Sequence, residues 1–266
     1  MTPSPLASQG EAVPAPLLSV VVITKNEAHC IGACLEAAGF ADEIVVLDSG
    51  STDDTLTIAA AHGARVHVCA DWPGFGPQKN RAVALAGGRW ILSLDADEIV
   101  TPALAAAIKQ AVSPDAAQDI AGYWIERRSL YCGQLIRFGD WRNDRVLRLF
   151  RRGAGRFSDD VVHERVICDG RTATLAGYLR HDSMTSFAEL REKTERYARL
   201  GAAKLCARGK GGFFSACLHG GWSWLRGYLL RGGLLDGRAG WIIAGQNARG
   251  TFLRYLWAAR EKNRAA

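Results

Sequence analysis

The sequence predicts an α/β protein: a mostly parallel, doubly wound sheet flanked by helices, followed by a C-terminal helical extension. Three observations carry that expectation. Between Leu17 and Asp95, apolar runs rich in β-branched residues alternate with helical segments in the order β-α-β-α-β-α-β. Polar residues gather where those runs end: Thr24, Lys25, Asn26 and Glu27, then Asp48, then Asp95 and Asp97. Open α/β sheets bind their ligands at the carboxyl ends of the strands, so this is where a site is expected. From Ser186 onward a helical period dominates.

The elements follow in order. LLSVVVIT (17–24) is a continuous apolar run, as a strand buried on both faces requires. Asn26 offers an N-cap for a helix through about Ala38. ADEIVVLD (41–48) is the second strand, and Ser51 or Thr52 can cap a helix through His62. Arg65 to Cys69 makes a short third strand, Pro77 to Ala86 a third helix, and RWILSLD (89–95) a fourth apolar strand. Beyond Tyr123 the pattern changes to shorter strand-like pieces, YWIERRSLY (123–131) and RVLRLFRR (145–152), with polar loops such as SDDVVHERV (158–166). Leu175 to His181 reads as another strand. Helical segments then cover Ser186–Arg208, Phe213–Leu230 and roughly Gly240–Arg260. The chain shows no internal repeat.

Length and composition bound the function. The 266 residues are 48% hydrophobic and 23% charged, enough for a sizeable core and unlike a disordered chain. The net charge of +6 conceals a division: residues 1–120 hold 6 Lys+Arg against 14 Asp+Glu, and residues 121–266 hold 27 against 13. An acidic half and a basic half point to two tasks. The seven cysteines form no CxxC pair, and no His or Cys stands at zinc-ligand spacing from Cys30 and Cys34, as expected of free thiols in a reducing cytoplasm. Residues 1–16, with four prolines and neither a basic nor an apolar leader region, are expected to form a flexible tail and not a signal peptide. No apolar stretch reaches the ~18 residues that a spanning helix needs, since Arg226 and Arg231 interrupt the best candidate, Trp222 to Leu235.

The sharpest chemical feature is LDADE (94–98), at the end of an apolar strand. Two carboxylates two residues apart can share one divalent cation, and hard oxygen ligands suit Mg²⁺ or Mn²⁺ bound to substrate phosphates. Asp95 and Asp97 held side by side without a cation would oppose each other's ionisation. No GxGxxG follows the first strand, no GxxxxGK[ST] exists, and there is no GxSxG elbow. Those absences exclude a dinucleotide fingerprint, a P-loop and a hydrolase nucleophile. What remains is a nucleotide diphosphate held through a metal and carboxylates.

Four segments, SVVVITKNEA (19–28), VVLDSGSTDDT (45–55), QKNRAVALAGGRWILSLDADE (78–98) and VHERV (162–166), together resemble the family 2 glycosyltransferases of GT-A (Rossmann-like) fold. Within that family the chain is most similar to bacterial lipopolysaccharide-core β-1,4-glucosyltransferases, and LRGYLLRGGLLDGRAGWIIA (225–244) resembles their helical tail. The resemblance implies roles residue by residue. Thr24, Asn26 and Glu27 line the nucleotide pocket, and Asp48 recognises the base or its ribose. Lys79, with Asn80 and Arg81, opens the third helix near the donor. Asp95 faces the ribose or sugar, and Asp97 ligates the metal bridging the diphosphate. His181 can complete the metal shell or touch a phosphate. An inverting transfer needs a base on the sugar face opposite the leaving group, so it should come from another segment. Glu164 is the candidate; many relatives use an acidic pair, so Asp159 and Asp160 are rivals. His163 and Arg165 are candidates for acceptor or phosphate contact.

The expected organisation is a tail (1–16), a catalytic domain (17–183) with a nucleotide-sugar half (17–120) and an acceptor half (121–183), and a basic helical extension (184–266). From Arg199 onward there are 12 Lys+Arg, two acids and four of the chain's eight tryptophans. That composition suits peripheral contact with an anionic inner membrane at its cytoplasmic face, or packing of the aromatics on the catalytic domain. No nucleic-acid-binding motif accompanies the charge, so no nucleic-acid partner is expected. The expected activity is metal-dependent transfer of a hexose, glucose from UDP-glucose, to an inner-core sugar of a glycolipid acceptor. The alternatives are the same chemistry on a polyprenyl phosphate, a peptide or a surface polysaccharide, or a non-catalytic nucleotide-sugar-binding or membrane-scaffold protein.

Overall fold

The computed structural model describes residues 15–159 and 164–265. Most of the expected tail, and Asp160 and His163 among the expected site residues, lie outside them. Along the chain run β1 (Leu18–Thr24), α1 (Ile31–Ala38), β2 (Glu43–Asp48), α2 (Thr55–Ala61), β3 (Arg65–Val68), α3 (Phe75–Leu85), β4 (Trp90–Asp95), β5 (Glu98–Val100) and α4 (Pro102–Val112). There follow β6 (Ile120–Tyr131), β7 (Gln134–Leu135), β8 (Asp144–Arg151), β9 (Gly155–Phe157), β10 (Val166–Cys168) and β11 (Arg171–Met184). The chain ends in α5 (Phe187–Cys206), α6 (Phe213–Leu225) and α7 (Gly237–Ala265). It packs as two compact units interleaved in sequence.

The first unit holds the described residues to Ala96 with Ile108–Tyr123 and Leu147–Thr174. Its strands lie in the order β3-β2-β1-β4-β8, parallel from β3 to β4 and antiparallel at β8. Val20, Val22, Val45, Val46, Ile91 and Leu92 are inaccessible to solvent, which is why β1, β2 and β4 read as unbroken apolar runs. Against one face sits α3, its Ala82 and the following Ala86 packed with Val21, Val45, Leu47, Ile91, Phe150 and Phe157. Pro16 is already tied into the fold, its carbonyl accepting from the Arg89 N–H at 3.0 Å.

Two expected helix caps are corrected. Helix α1 begins only at Ile31 and Asn26 does not cap it. Asn26 instead takes a left-handed φ of 57° and its Oδ1 accepts from the Thr52 N–H at 2.8 Å. Neither Ser51 nor Thr52 caps α2, which starts at Thr55 beside Asp54. The Ser51 hydroxyl donates to Asp48 and also accepts from the Asn26 N–H. These short polar side chains bond across two loops instead of to the nearest helix end. Three-residue β5 and the alanine-rich α4 had no counterpart in the sequence reading.

The second unit holds Asp97–Ala107, Trp124–Val146 and Leu175–Ala266. Strand β11 pairs antiparallel with β5, setting His181 opposite Glu98. Ser186 caps α5, accepting from the Glu189 N–H at 3.2 Å while the Glu189 carboxylate accepts from the Thr185 N–H at 2.9 Å. The expected helix 213–230 is α6 plus a π-turn at Arg226–Leu230, where Gly227 passes Asp140. Helix α7 packs on both α5 and α6. Buried Asp236 fastens its start, accepting from the Arg137 N–H at 3.2 Å and the Phe138 N–H at 2.9 Å. All seven cysteines are free thiols.

Gly240, in the first turns of α7, faces backbone: an added Cβ would stand 1.8 Å from the Gly233 carbonyl oxygen. Gly240→Ala should therefore destabilise by about 1–3 kcal/mol. Gly245→Ala in the same helix meets open space and should be neutral or stabilising. Thermal unfolding midpoints of the two variants check the contrast.

Candidate active site

Parallel register assembles the first cluster. Thr24 pairs with Asp48 across β1 and β2, and Ile23 pairs with Asp95 across β1 and β4, so both acids end their strands at one edge. The Asp48 carboxylate is fully buried and accepts from the Thr24 hydroxyl at 3.0 Å, from the amides of Gly50 and Ser51 at 2.8 Å each, and from the Ser51 hydroxyl. It shapes the loop after β2, and the buried Gln78 of α3 donates to Ser49 in that loop at 3.1 Å.

At Asp95 the arrangement is ionic. Lys79 of α3 is only 3% exposed, and its Nζ lies 2.8 Å from Asp95 Oδ1 and 2.8 Å from Glu164 Oε1. Arg148, buried on β8, pairs with the other Asp95 oxygen. Burial pushes the Asp95 carboxyl up, but Arg148 and then Lys79 outweigh it and hold the group well below the ordinary carboxylate range. Two side-chain cations of the protein, Lys79 and Arg148, thus supply counter-charge at Asp95. Gly76, one turn before Lys79, lets the loop approach, since a Cβ there would meet the Ser158 carbonyl oxygen at 2.0 Å.

The second cluster belongs to the second unit. His181 on β11 sets Nε2 3.0 Å from Asp97 Oδ2, and its Nδ1 lies 3.2 Å from the Ser129 hydroxyl, which fixes the ring. Asp97 is also near Lys193 of α5. Burial pushes the Lys193 ammonium down, and the charges of Asp97 and Glu189 act the other way. Adjacent ligands on one ion, at bonds of about 2.1 Å and right angles, stand about 3 Å apart. The Asp97 and His181 donor atoms have that spacing, which is compatible with a carboxylate–imidazole pair on one divalent cation.

Glu27 donates its N–H to the Thr55 hydroxyl at 2.9 Å, and its carboxylate accepts from the Cys30 thiol at 3.2 Å. With His29 these make a group of possible metal donors near Cys30 that sequence spacing did not reveal. Asn80 exchanges two hydrogen bonds with the Phe157 backbone, at 2.8 and 3.0 Å, and Arg81 turns to Asp71 at 2.8 Å. Asp159 and Arg165 are exposed. Sequence reasoning missed Arg148 and Lys193; a lone arginine inside the apolar run VLRLF was the available signal for the first.

The model of Glycosyl transferase family 2 matches residues 19–181. The chain belongs to that family. This glycosyltransferase is 30% identical over 204 residues to "Lipopolysaccharide core biosynthesis glycosyltransferase LpsC" of Rhizobium meliloti (strain 1021), covering 73% of each chain. It is 27% identical over 248 residues to "Uncharacterized glycosyltransferase RP128" of Rickettsia prowazekii (strain Madrid E), covering 89% of this chain and 85% of the relative. Among solved structures, S. aureus TarS 1-349 aligns with a TM-score of 0.44 at 18% identity, over 68% of this chain and 64% of that one. The glucosyl-3-phosphoglycerate synthase of Mycobacterium tuberculosis, solved with Mn²⁺, UDP-glucose and phosphoglyceric acid, aligns with a TM-score of 0.35 at 28% identity, over 43% and 44%.

The charge arrangement of this family 2 enzyme sets a pH dependence. Asp95 has a lower pKa folded than its unfolded value near 3.8, so its stabilising contribution is present above that value and lost as pH falls below it. Arg148→Met should lower the urea midpoint at pH 7, and the gap to wild type should narrow below about pH 4. A gap that widens on acidification would contradict the assignment.

Proposed function

We propose that this family 2 glycosyltransferase is metal-dependent and inverting, moving glucose from UDP-glucose to a lipopolysaccharide inner-core sugar at the cytoplasmic face of the inner membrane. The observation that carries the reading is Lys79, whose single ammonium joins Asp95 at the end of β4 to Glu164 of the VHERV segment. A donor-side carboxylate and the candidate base are thereby held by one buried group. The 30% identity to the LpsC protein, over 73% of both chains, supports the acceptor class.

In this reading Thr24, Asn26, Glu27 and Asp48 shape the nucleotide side, and Lys79 and Asp95 orient the sugar. Asp97, with His181, would hold a Mn²⁺ or Mg²⁺ ion, which when bound supplies Lewis-acid stabilisation to the departing diphosphate. The acceptor hydroxyl oxygen attacks the anomeric carbon from the face opposite the leaving group. Its proton passes to the Glu164 carboxylate as the bond from that carbon to the phosphate oxygen breaks and UDP leaves. Arg165 and His163 are assigned to the acceptor or its phosphates. Asp159 is the rival base within the described residues, and Asp160 the rival outside them.

The test uses purified protein, UDP-glucose and truncated lipopolysaccharide acceptors with and without Mn²⁺, following UDP release and product mass. Asp97→Ala and Glu164→Gln should each lower turnover about 100-fold or more, with Asp97→Ala also losing the response to metal. Wild-type turnover by a folded Glu164→Gln protein would exclude Glu164 as the base. A sugar-phosphate-lipid product from polyprenyl phosphate, with none on the core acceptor, would overturn the acceptor. Thermal shifts against UDP-, GDP- and CMP-sugars identify the donor, because selective binding raises the midpoint.

A further inference from the structure

Helix α6 is amphipathic in the wrong sense for water. Its buried seam is small: Ala216, Gly220 and Ser223, continued by Gly227 in the π-turn. Gly220 packs so closely on α7 that an added Cβ would stand 3.3 Å from both the Ala248 carbonyl oxygen and Phe252 Cβ. The opposite face carries Phe214 (88% exposed), Leu218 (71%), Trp222 (51%), Leu225 and Leu229, at steps of four, four, three and four residues. Those steps form one stripe along a helix. Leu230, Leu234, Leu235 and Trp241 extend the exposed apolar surface towards the start of α7. A helix made stable by water buries its large side chains and exposes small or polar ones; here the small residues seat the helix and the large ones face out.

The charges around this stripe say what covers it. Arg208 and Lys210 are exposed just before α6, and Arg238 is exposed just after Leu235. Between Arg199 and Arg260 the sequence holds one acid, Asp236, and its carboxylate is buried on the amides of Arg137 and Phe138. Arg226 and Arg231 are turned to Asp140, at 3.4 and 2.6 Å. A second copy docked on this face would bring like charges together, whereas an anionic bilayer offers both a hydrocarbon boundary and the opposite charge. Among the described residues no helix is long and apolar enough to cross a membrane.

We propose that the outer face of α6 and the π-turn after it, from Phe214 to Leu229 with the adjoining leucines, lies in the interfacial layer of an anionic phospholipid membrane, its apolar side chains inserted and Arg208, Lys210 and Arg238 at the headgroups. This deepens the acceptor side of the proposed function and rests on that reading only for the substrate that the membrane would carry. Interfacial helices of this kind bind through buried apolar area plus attraction to anionic lipid, so both parts are separately removable.

The experiment is flotation of the full chain with vesicles of phosphatidylcholine alone or with added phosphatidylglycerol. Donor binding and UDP release are measured on the same samples, and mass by light scattering. Wild type should float with the anionic vesicles. Leu218→Ser with Trp222→Ser should weaken partitioning about tenfold or more while donor binding is kept. Lys210→Glu with Arg238→Glu should abolish the preference for anionic lipid. Failure of wild type to float at low salt, or unchanged flotation of the serine variant, would overturn the proposal. So would a dimer that the serine variant dissolves, which would assign the face to a second copy. Flotation without donor turnover would uphold the membrane surface and sink the transferase reading instead.

Discussion

An ammonium that is almost wholly withdrawn from water needs carboxylates at bonding distance, and Lys79 has two, Asp95 and Glu164. Leaving any member of such a group unpaired costs several kcal/mol, so the three segments that carry them are held to one arrangement. Helix α3 presents Lys79 inward, β4 ends at Asp95, and the chain after β9 brings Glu164. Gly76 permits the approach and Asn80, two hydrogen bonds to Phe157, secures it. Arg148 completes the charge balance at Asp95 from β8.

This balance changes the meaning of the LDADE segment (94–98). As a sequence it is two like charges in need of a divalent cation. In the structure its members have different environments: Asp95 is neutralised by Lys79 and Arg148, while Asp97 is matched with the His181 ring and lies near Lys193. In the proposed mechanism Asp95 holds position, and Asp97 with His181 is the pair that would take a metal. The difference between two carboxylates two residues apart follows from which basic groups surround each.

The parallel strands and the acids that end them were legible because burial on both faces leaves a continuous β-branched run, as in SVVVIT and EIVVLD, and a polar residue must end it. The family motifs were legible for the same local reason. What escaped was long-range. Arg148 and Lys193 act on residues 53 and 96 positions away, and nothing in their neighbours names those partners. The helix caps were misread because Asn26 and Ser51 satisfy each other's loops, a choice that propensity at a helix end does not contain. In the basic extension the sequence shows charge with tryptophan; that α6 turns its large apolar side chains outward and seats itself on Ala216 and Gly220 required the fold.

The proposed transfer requires Lys79 and Glu164 to work as one unit. A double-mutant cycle on kcat/KM for UDP release, with Lys79→Met, Glu164→Gln and the pair, measures it directly. Strong non-additivity is expected, about 1 kcal/mol or more, with the second substitution costing little once the first is made. Additive losses would mean that the two groups act independently, and would contradict it.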